Sequence, residues 1–185
     1  MTGRSLAGQL LVAAPSLAEG PFARSVVVLL DHDEDGALGV IVNRPTEVDV
    51  ADVLPDWQPL ATGPGVVFQG GPVALDSALA LAAVPGTEEP PGLRRVVGGL
   101  GLVDLDAEPA LLAPRLGRLR VFAGYAGWSP GQLEEEVASG AWYVVAAEPG
   151  DVFSDAPAGL WRRVLRRQPG DLALLSTYPE DPSLN

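Results

Sequence analysis

The sequence contains no cysteine among its 185 residues and only one histidine, His32. The absence of cysteine excludes thiolate nucleophiles, disulfides and zinc sites with thiolate ligands. A single histidine excludes metal centres built from several histidines. All twelve basic residues are arginine, so Schiff-base catalysis and phosphate binding by a P-loop lysine are excluded as well. Composition alone therefore rules out several common classes of enzyme.

The charge balance is strongly acidic. Twenty-four acidic and twelve basic side chains give a formal net charge of −12. Such a chain repels phosphate backbones at long range, so we expect no general nucleic-acid binding. One predicted helix carries a local basic cluster, which consists of Arg162, Arg163, Arg166 and Arg167. We interpret this cluster as a solvated face beside a buried apolar stripe.

The N-terminal segment has some features of a secretory signal. Arg4 precedes an apolar stretch at residues 6–14, and residues 16–18 resemble a cleavage site. Gly8 and Gln9 interrupt that stretch, however, and residues 9–14 also fit a buried strand. No uninterrupted apolar run is close to about 18 residues, the length that a membrane-spanning helix needs. We therefore expect a cytoplasmic protein without a membrane partner.

Length and hydrophobicity indicate one domain over residues 1–185. Apolar residues make up 47% of the chain, which is ordinary for a folded protein, and a domain averages about 150 residues. Two apolar runs at residues 26–30 and 37–42 are joined by an acidic stretch that ends in Asp35-Gly36, a pattern typical of a β-hairpin. Both runs are nearly continuous rather than alternating, so we expect helices to cover both faces of their sheet.

Further elements are predicted along the rest of the chain. Strands are expected at residues 9–14, 66–68, 78–84, 96–97, 102–105, 119–125 and 141–147. Helices are expected at residues 50–54, 107–112, 130–139 and 157–167, with Asp49, Asp106 and Ser129 capping the first three. Because strands and helices intermix, the sequence predicts an α/β (α+β) fold with a mixed sheet covered by helices.

Residues 127–131 match the G-x-S-x-G pattern of a serine nucleophile. That pattern needs the backbone N–H of the residue after the serine, and Pro130 has none. No histidine follows Ser129 in the chain to serve as its base. A capping box, with Ser129 as N-cap and Gln132 reaching back to it, explains the same residues more simply. We therefore predict that Ser129 caps a helix.

The acidic stretch resembles the first half of a calcium-binding loop. Asp31, Asp33 and Asp35 occupy alternate positions before Gly36, but position 12 of the loop would be Val42 instead of a bidentate glutamate. We favour a solvated hairpin turn and keep these three aspartates as a weak divalent-ion candidate. His32 lies among them and is either a proton donor or an exposed turn residue.

The chain resembles the YqgE/AlgH family of bacterial proteins through motifs that follow one another along most of its length. They are Gly8-Gln9-Leu10-Leu11-Val12-Ala13-Ala14-Pro15, Phe22-Ala23-Arg24-Ser25-Val26-Val27, His32 with Gly36-Ala37-Leu38-Gly39, Asn43-Arg44-Pro45, Gly70-Gly71-Pro72-Val73, Gly124-Tyr125-Ala126-Gly127-Trp128, and Gln132-Leu133-Glu134 through Trp142. The resemblance implies an α/β fold on a mixed, strongly coiled sheet in a cytosolic protein. It implies no catalytic mechanism and no cofactor. One branch of the family carries a name that points to transcriptional control.

Ten residues from these motifs are predicted to surround a shallow polar pocket at strand ends. They are Arg24, Ser25, His32, Asn43, Arg44, Gly70, Gly71, Gly127, Trp128 and Gln132. In this hypothesis Arg24 or Arg44 receives an anionic group. The alternative is that the same residues serve turn geometry and packing alone.

Three functions follow from these observations. The first, which fits best, is a non-catalytic binding or regulatory protein that recognises a small ligand or a protein partner. The alternative is a hydrolytic enzyme that uses His32 and nearby carboxylates, with or without a divalent ion. The third is a transcriptional regulator, which the net charge opposes. We expect no cofactor.

Overall fold

The predicted hairpin is present and extends beyond its apolar runs. The computed structural model describes residues 4–18 and 20–179. Strand β2 (Val26–Asp33) pairs antiparallel with strand β3 (Gly36–Ile41). Both strands reach into the acidic stretch, so Asp31 and His32 belong to β2 and the turn is reduced to two residues. The turn is therefore tighter than the sequence predicted.

Within the described residues, ten strands form one connected network. Besides β2 and β3, they are β1 (Leu10–Ala13), β4 (Pro45–Asp49), β5 (Val66–Gln69), β6 (Val73–Ala83), β7 (Leu93–Val97), β8 (Leu100–Val103), β9 (Leu119–Trp128) and β10 (Trp142–Val145). Paired strands follow the order β10-β1-β2-β3-β9-β6-β8-β7, with β5 beside β9 and β4 beside β5. The β5–β9 pair is parallel, whereas the neighbouring pairs are antiparallel. The predicted mixed sheet is confirmed.

Strand β9 is the centre of the sheet because it pairs with three other strands. Its first half lies between β5 and β6, and its last residues pair with β3. The change of partner falls at Gly124, whose φ is +74°. A Cβ there would lie 2.5 Å from the carbonyl oxygen of Gly71 and 2.9 Å from that of Val73. The sheet can curl at this point because glycine permits the close approach of two backbones.

Helices cover both faces of the sheet around β1 and β2, as the continuous apolar runs predicted. Successive residues of a strand point to opposite faces. Leu10 packs in one cluster with the buried side chains of helix α4 (Leu160–Arg166), whereas Leu11 packs in another with helix α3 (Gln132–Ala138). The two predicted helices thus lie on opposite sides of the same strands.

The other α-helices are single turns, and their caps differ from the prediction. Helix α1 (Val50–Val53) follows Asp49, which is the N-cap residue but makes no side-chain capping bond. Helix α2 (Pro109–Leu112) is preceded by Glu108 as N-cap, so the prediction of Asp106 is wrong. Proline starts this helix because its fixed φ suits the first turn and its missing N–H is not needed there. No helix in residues 4–18 and 20–179 is long and apolar enough to span a bilayer.

The prediction that Ser129 caps helix α3 is also wrong. The N-cap residue is Gly131, with a φ of +78°, and no side chain caps the helix. One half of the predicted capping box is nevertheless present, since the Ser129 N–H donates to Oε1 of Gln132 at 3.0 Å. Gly131 allows the left-handed turn that lets the chain enter the helix two residues later than predicted.

Replacing Gly124 by alanine is expected to destabilise the fold by about 3 kcal/mol, because the new Cβ combines a left-handed backbone with overlap of two carbonyl oxygens. Urea unfolding followed by circular dichroism measures this loss. Gly86→Ala is the matched control, since a Cβ at Gly86 meets nothing within 4 Å, and it should cost less than about 0.5 kcal/mol. Equal stability of the two variants would contradict the role given to Gly124.

Candidate functional site

The residues predicted to form one pocket lie in separate places along the hairpin. Ser25 precedes β2 and His32 lies near its other end, which is roughly 20 Å away at about 3.3 Å per residue. Arg24, Asn43 and Arg44 lie at the Ser25 end. The residues at the His32 end are Gly127, Trp128 and Gln132, while Gly70 and Gly71 lie where β9 changes partner. These ten residues do not line a single pocket.

The group at the Ser25 end binds the protein's own main chain. The side chain of Asn43 accepts the N–H of Val26 and donates to the carbonyl of Arg24, both at 3.0 Å. Arg44 donates to the carbonyl of Ala23. The guanidinium of Arg24 donates to the carbonyl of Tyr178 at 3.1 Å and lies over an aromatic ring of helix α4. These side chains fasten the segment before β2 and the C-terminal segment to the sheet.

His32 uses both ring nitrogens within the protein. Its Nδ1 accepts the backbone N–H of Leu6 at 2.9 Å, and a backbone amide can only donate. The ring proton therefore lies on Nε2, which donates to Oε1 of Glu134 at 2.5 Å. The side chain of His32 is only 8% exposed. This geometry ties the N-terminal segment to β2 and α3 and leaves no ring nitrogen for proton transfer or metal binding.

The aspartates of the hairpin are spread along β2 and its turn rather than gathered in one cluster. Asp31 and Asp33 lie on β2, and Oδ1 of Asp33 already accepts the N–H of Asp35 at 2.8 Å. Among residues 4–18 and 20–179, no three or more histidine or acidic side chains are grouped so as to hold a metal ion. The calcium-loop pattern thus falls at a two-residue turn between β2 and β3.

The carboxylate of Glu136 accepts hydrogen bonds from Trp128, Gln132 and Trp142. Its Oε1 accepts the indole N–H of Trp128 at 3.2 Å and that of Trp142 at 3.0 Å, and its Oε2 accepts Nε2 of Gln132 at 2.9 Å. One carboxylate thus fixes two buried indoles and the first residue of α3. The predicted site residues Trp128 and Gln132 therefore share one hydrogen-bond acceptor within the fold, which accounts for their closeness in the sequence.

A cavity of about 770 Å³ lies at the His32 end of the hairpin, where His32, Asp33, Asp35 and Glu134 are among its lining residues. A second concave surface lies around residues 147–156 and was not predicted from the sequence. It consists of three adjoining chambers. The polar chamber has a volume of about 640 Å³ and is lined by Thr62, Gly63, Arg118, Gly150, Phe153, Ser154, Asp155, Ala156 and Arg163. The apolar chamber, of about 250 Å³, is lined by Gly8, Val28, Ala83, Val97, Gly98, Gly99, Leu100, Ala147, Glu148, Pro149, Val152 and Phe153. The bridging chamber, of about 480 Å³, is lined by Ala83, Val84, Pro85, Gly99, Gly117, Arg118, Pro149 and Gly150.

A buried arginine holds the two walls of the polar chamber together. Arg120 in β9 is 1% exposed. Its Nη1 donates to the carbonyls of Val152 and Ser154 at 3.0 and 2.8 Å, and its Nη2 donates to that of Gly63 at 2.8 Å. The guanidinium also lies 4.3 Å from the ring centroid of Phe68. Three carbonyls from two distant segments are thereby fixed around one planar group.

The electrostatics of the polar chamber are unlike those of the rest of this acidic chain. Burial, with a smaller contribution from the nearby positive charge of Arg118, lowers the pKa of Arg120 to about 10. Arg120 therefore remains charged at neutral pH. Arg163 donates to the hydroxyl of Ser154 at 2.7 Å and to the carbonyl of Ala156 at 2.8 Å. Two positive side chains, Arg118 and Arg163, line this chamber together with the acidic Asp155. Arg120 lies behind it and bonds to the carbonyls of two lining residues, Gly63 and Ser154.

The segment at residues 147–156, which forms one wall of the polar chamber, is hydrogen-bonded to arginines in and just after helix α4. Arg167 makes two bonds to the carboxylate of Asp151, at 2.7 and 2.6 Å, and these bonds raise the pKa of Arg167. Asp151 is buried and also accepts the N–H of Glu148 at 2.7 Å. Arg162 donates to the carbonyl of Ser176 at 2.5 Å. The interpretation of the basic cluster as a solvated face is thus wrong for Arg162 and Arg167, which hold the protein together.

Comparisons with known proteins agree with this architecture. The AlgH-like family model matches residues 10–173. The chain is 66% identical over 185 residues to a UPF0301 protein of Streptomyces coelicolor, with 98% of this chain and 96% of that protein covered. It is 50% identical over 190 residues to a UPF0301 protein of Thermobifida fusca, with 98% and 96% covered.

Two solved structures have the same fold. The crystal structure of a Corynebacterium diphtheriae protein matches with a TM-score of 0.90 at 36% identity, covering 96% of this chain and 95% of that one. The solution structure of AlgH from Pseudomonas aeruginosa matches with a TM-score of 0.69 at 29% identity, covering 97% of each chain. The molecule is thus an α+β protein built on a curled, mixed sheet. It belongs to the AlgH-like, or UPF0301, family, which confirms the resemblance seen in its sequence motifs.

Glu134→Gln is expected to remove a pH-dependent part of the stability. The hydrogen bond from His32 lowers the pKa of Glu134 below its ordinary value of 4.5. A carboxyl group with a lowered pKa in the folded state stabilises the fold above its unfolded pKa, and this stabilisation is lost as the pH falls through the folded pKa. The wild type should therefore melt a few degrees above the variant at neutral pH, and the difference should shrink in acid.

Melting temperatures of the wild type and Glu134→Gln at pH 7 and pH 3 measure this difference. Glu135→Gln is the matched control, because Glu135 is an exposed neighbour in the same helix. Its melting temperature at pH 7 should equal that of the wild type. A melting difference for Glu134→Gln that is the same at both pH values would show that its carboxylate has no special partner.

Proposed function

We propose that this protein is a non-catalytic binding protein that takes a small anionic molecule into the polar chamber. The observation that carries the proposal is the buried, charged Arg120 behind a chamber that Arg118 and Arg163 line. The hydrogen-bond acceptors of Arg120 are neutral carbonyls. Burying a guanidinium is costly, and the nearby carboxylate of Asp155 offsets part of that cost. An anion in the adjoining chamber offsets more of it.

The chamber also has donors suited to an oxyanion. The side chain of Arg118 is exposed on one wall, and Arg163 and Ser154 lie together on another. Arginine recognises carboxylates and phosphates through paired N–H donors, which gives both affinity and orientation. Because the whole chain carries a net charge of −12, a locally positive chamber selects where an anion binds. A volume of about 640 Å³ is within the range of small-molecule sites.

The contacts of His32 support binding over hydrolysis. A general base needs a free ring nitrogen near its substrate, and both nitrogens of His32 are engaged by Leu6 and Glu134. Pro130 deprives Ser129 of the N–H that an oxyanion hole of the serine-hydrolase type requires. We therefore place the enzymatic alternative behind ligand binding, and direct binding to DNA behind both, because of the net charge.

Isothermal titration with inorganic phosphate tests the proposal. The wild type should bind phosphate saturably, and Arg118→Gln and Arg163→Gln should each weaken binding by about tenfold, since each removes a charge-assisted donor. Arg166→Gln is the matched control, because Arg166 is an exposed arginine on the same helix outside the chamber and should leave the Kd unchanged. No saturable binding, or equal loss in all three variants, would contradict the proposal.

A further inference from the structure

The apolar chamber shares walls with the polar chamber. Phe153 lines both, and it is 3% exposed. The bridging chamber shares Arg118 and Gly150 with the polar chamber, and Ala83 and Pro149 with the apolar chamber. The three chambers therefore follow one another along residues 147–156. A molecule longer than a simple anion can extend from the arginines into the apolar space.

The lining of the apolar chamber favours a hydrocarbon group. Val28, Val152 and Leu100 supply apolar surface, and Gly98 and Gly99 line the chamber without a side chain. Glu148 also lines this chamber; its carboxylate, which is 64% exposed, lies 3.4 Å from Nη1 of Arg167, a cation that it shares with Asp151. Apolar chambers of this kind gain stability when hydrocarbon replaces poorly bonded water.

Val97 gives a second indication that this chamber takes an apolar partner. It lies at the end of β7 beside the chamber, and 40% of it is exposed. Its methyl groups also occupy the space that a side chain at Gly8 would need. An apolar group seated in the chamber covers this exposed valine, which removes hydrophobic surface from water.

We propose that the ligand is an anionic amphiphile, with an oxyanion head in the polar chamber and a short aliphatic group in the apolar chamber. This inference rests on the proposed function and adds the chemical class of the ligand. The apolar chamber, at about 250 Å³, has the volume of about eight water molecules at about 30 Å³ each. A chain of about four to eight carbons matches that space.

Titration with a homologous series tests the inference. The probes are inorganic phosphate, butyl phosphate and octyl phosphate, each below its micelle concentration, together with octanol as a probe without a charged head. Affinity for the wild type should rise along the three phosphates, by up to about fourfold for each methylene that enters the chamber. Octanol should bind at least about tenfold more weakly than octyl phosphate because it lacks the charge-assisted bonds to arginine.

Two variants test whether the aliphatic group of the ligand binds in the apolar chamber. Val97→Asp should abolish the increase in affinity from phosphate to octyl phosphate while leaving the Kd for inorganic phosphate unchanged. Val48→Asp is the matched control, since Val48 is an equally exposed strand valine outside the cleft, with 45% exposure. It should retain the chain-length dependence. Circular dichroism of both variants verifies that they fold.

Each result decides a different point. Binding of inorganic phosphate with no gain for the alkyl phosphates would overturn this inference and leave the proposed function standing. No binding of any phosphate would overturn both. Octanol binding as tightly as octyl phosphate would show that the charged head is not recognised. An unchanged chain-length dependence in Val97→Asp would overturn the placement of the aliphatic group in the apolar chamber.

Discussion

The guanidinium of Arg120 is the group on which the cleft depends. It is fully buried in the central strand, and its N–H groups bind carbonyls of Gly63, Val152 and Ser154. The planar guanidinium, with its N–H donors in a fixed fork, holds three carbonyls from two segments in one arrangement. In the proposed function, the same charge that organises these walls attracts an anion to the adjoining chamber. The bonds of Arg120 to these carbonyls therefore serve both the fold and the proposed function.

The sequence predicted the sheet well because its signals are local. The hairpin of β2 and β3 and the two covering helices follow from apolar runs, turn residues and spacing within about twenty residues. Element ends were less accurate, since β6 and β9 continue beyond the predicted runs. At Ser129 the actual cap is Gly131, because the left-handed turn at that glycine delays the helix by two residues.

The candidate site could not be predicted in the same way because distant segments form it. Arg120 bonds to residues 32, 34 and 57 positions away in the chain. One signal was available, since an arginine inside a predicted apolar strand must find buried partners. The motif residues instead drew attention to the hairpin, where Asn43, His32 and Gln132 bind the protein's own backbone and side chains. These contacts give the motif residues a structural role within the fold.

The central claim is that the forked geometry of Arg120, and not merely its charge, builds an anion-binding cleft. The most direct test is the Kd for inorganic phosphate of Arg120→Lys, measured on protein shown by circular dichroism to be folded. Lysine keeps the positive charge but cannot hold three carbonyls in the plane of a guanidinium. We predict that phosphate affinity falls by about tenfold or more. An affinity equal to that of the wild type would contradict the account.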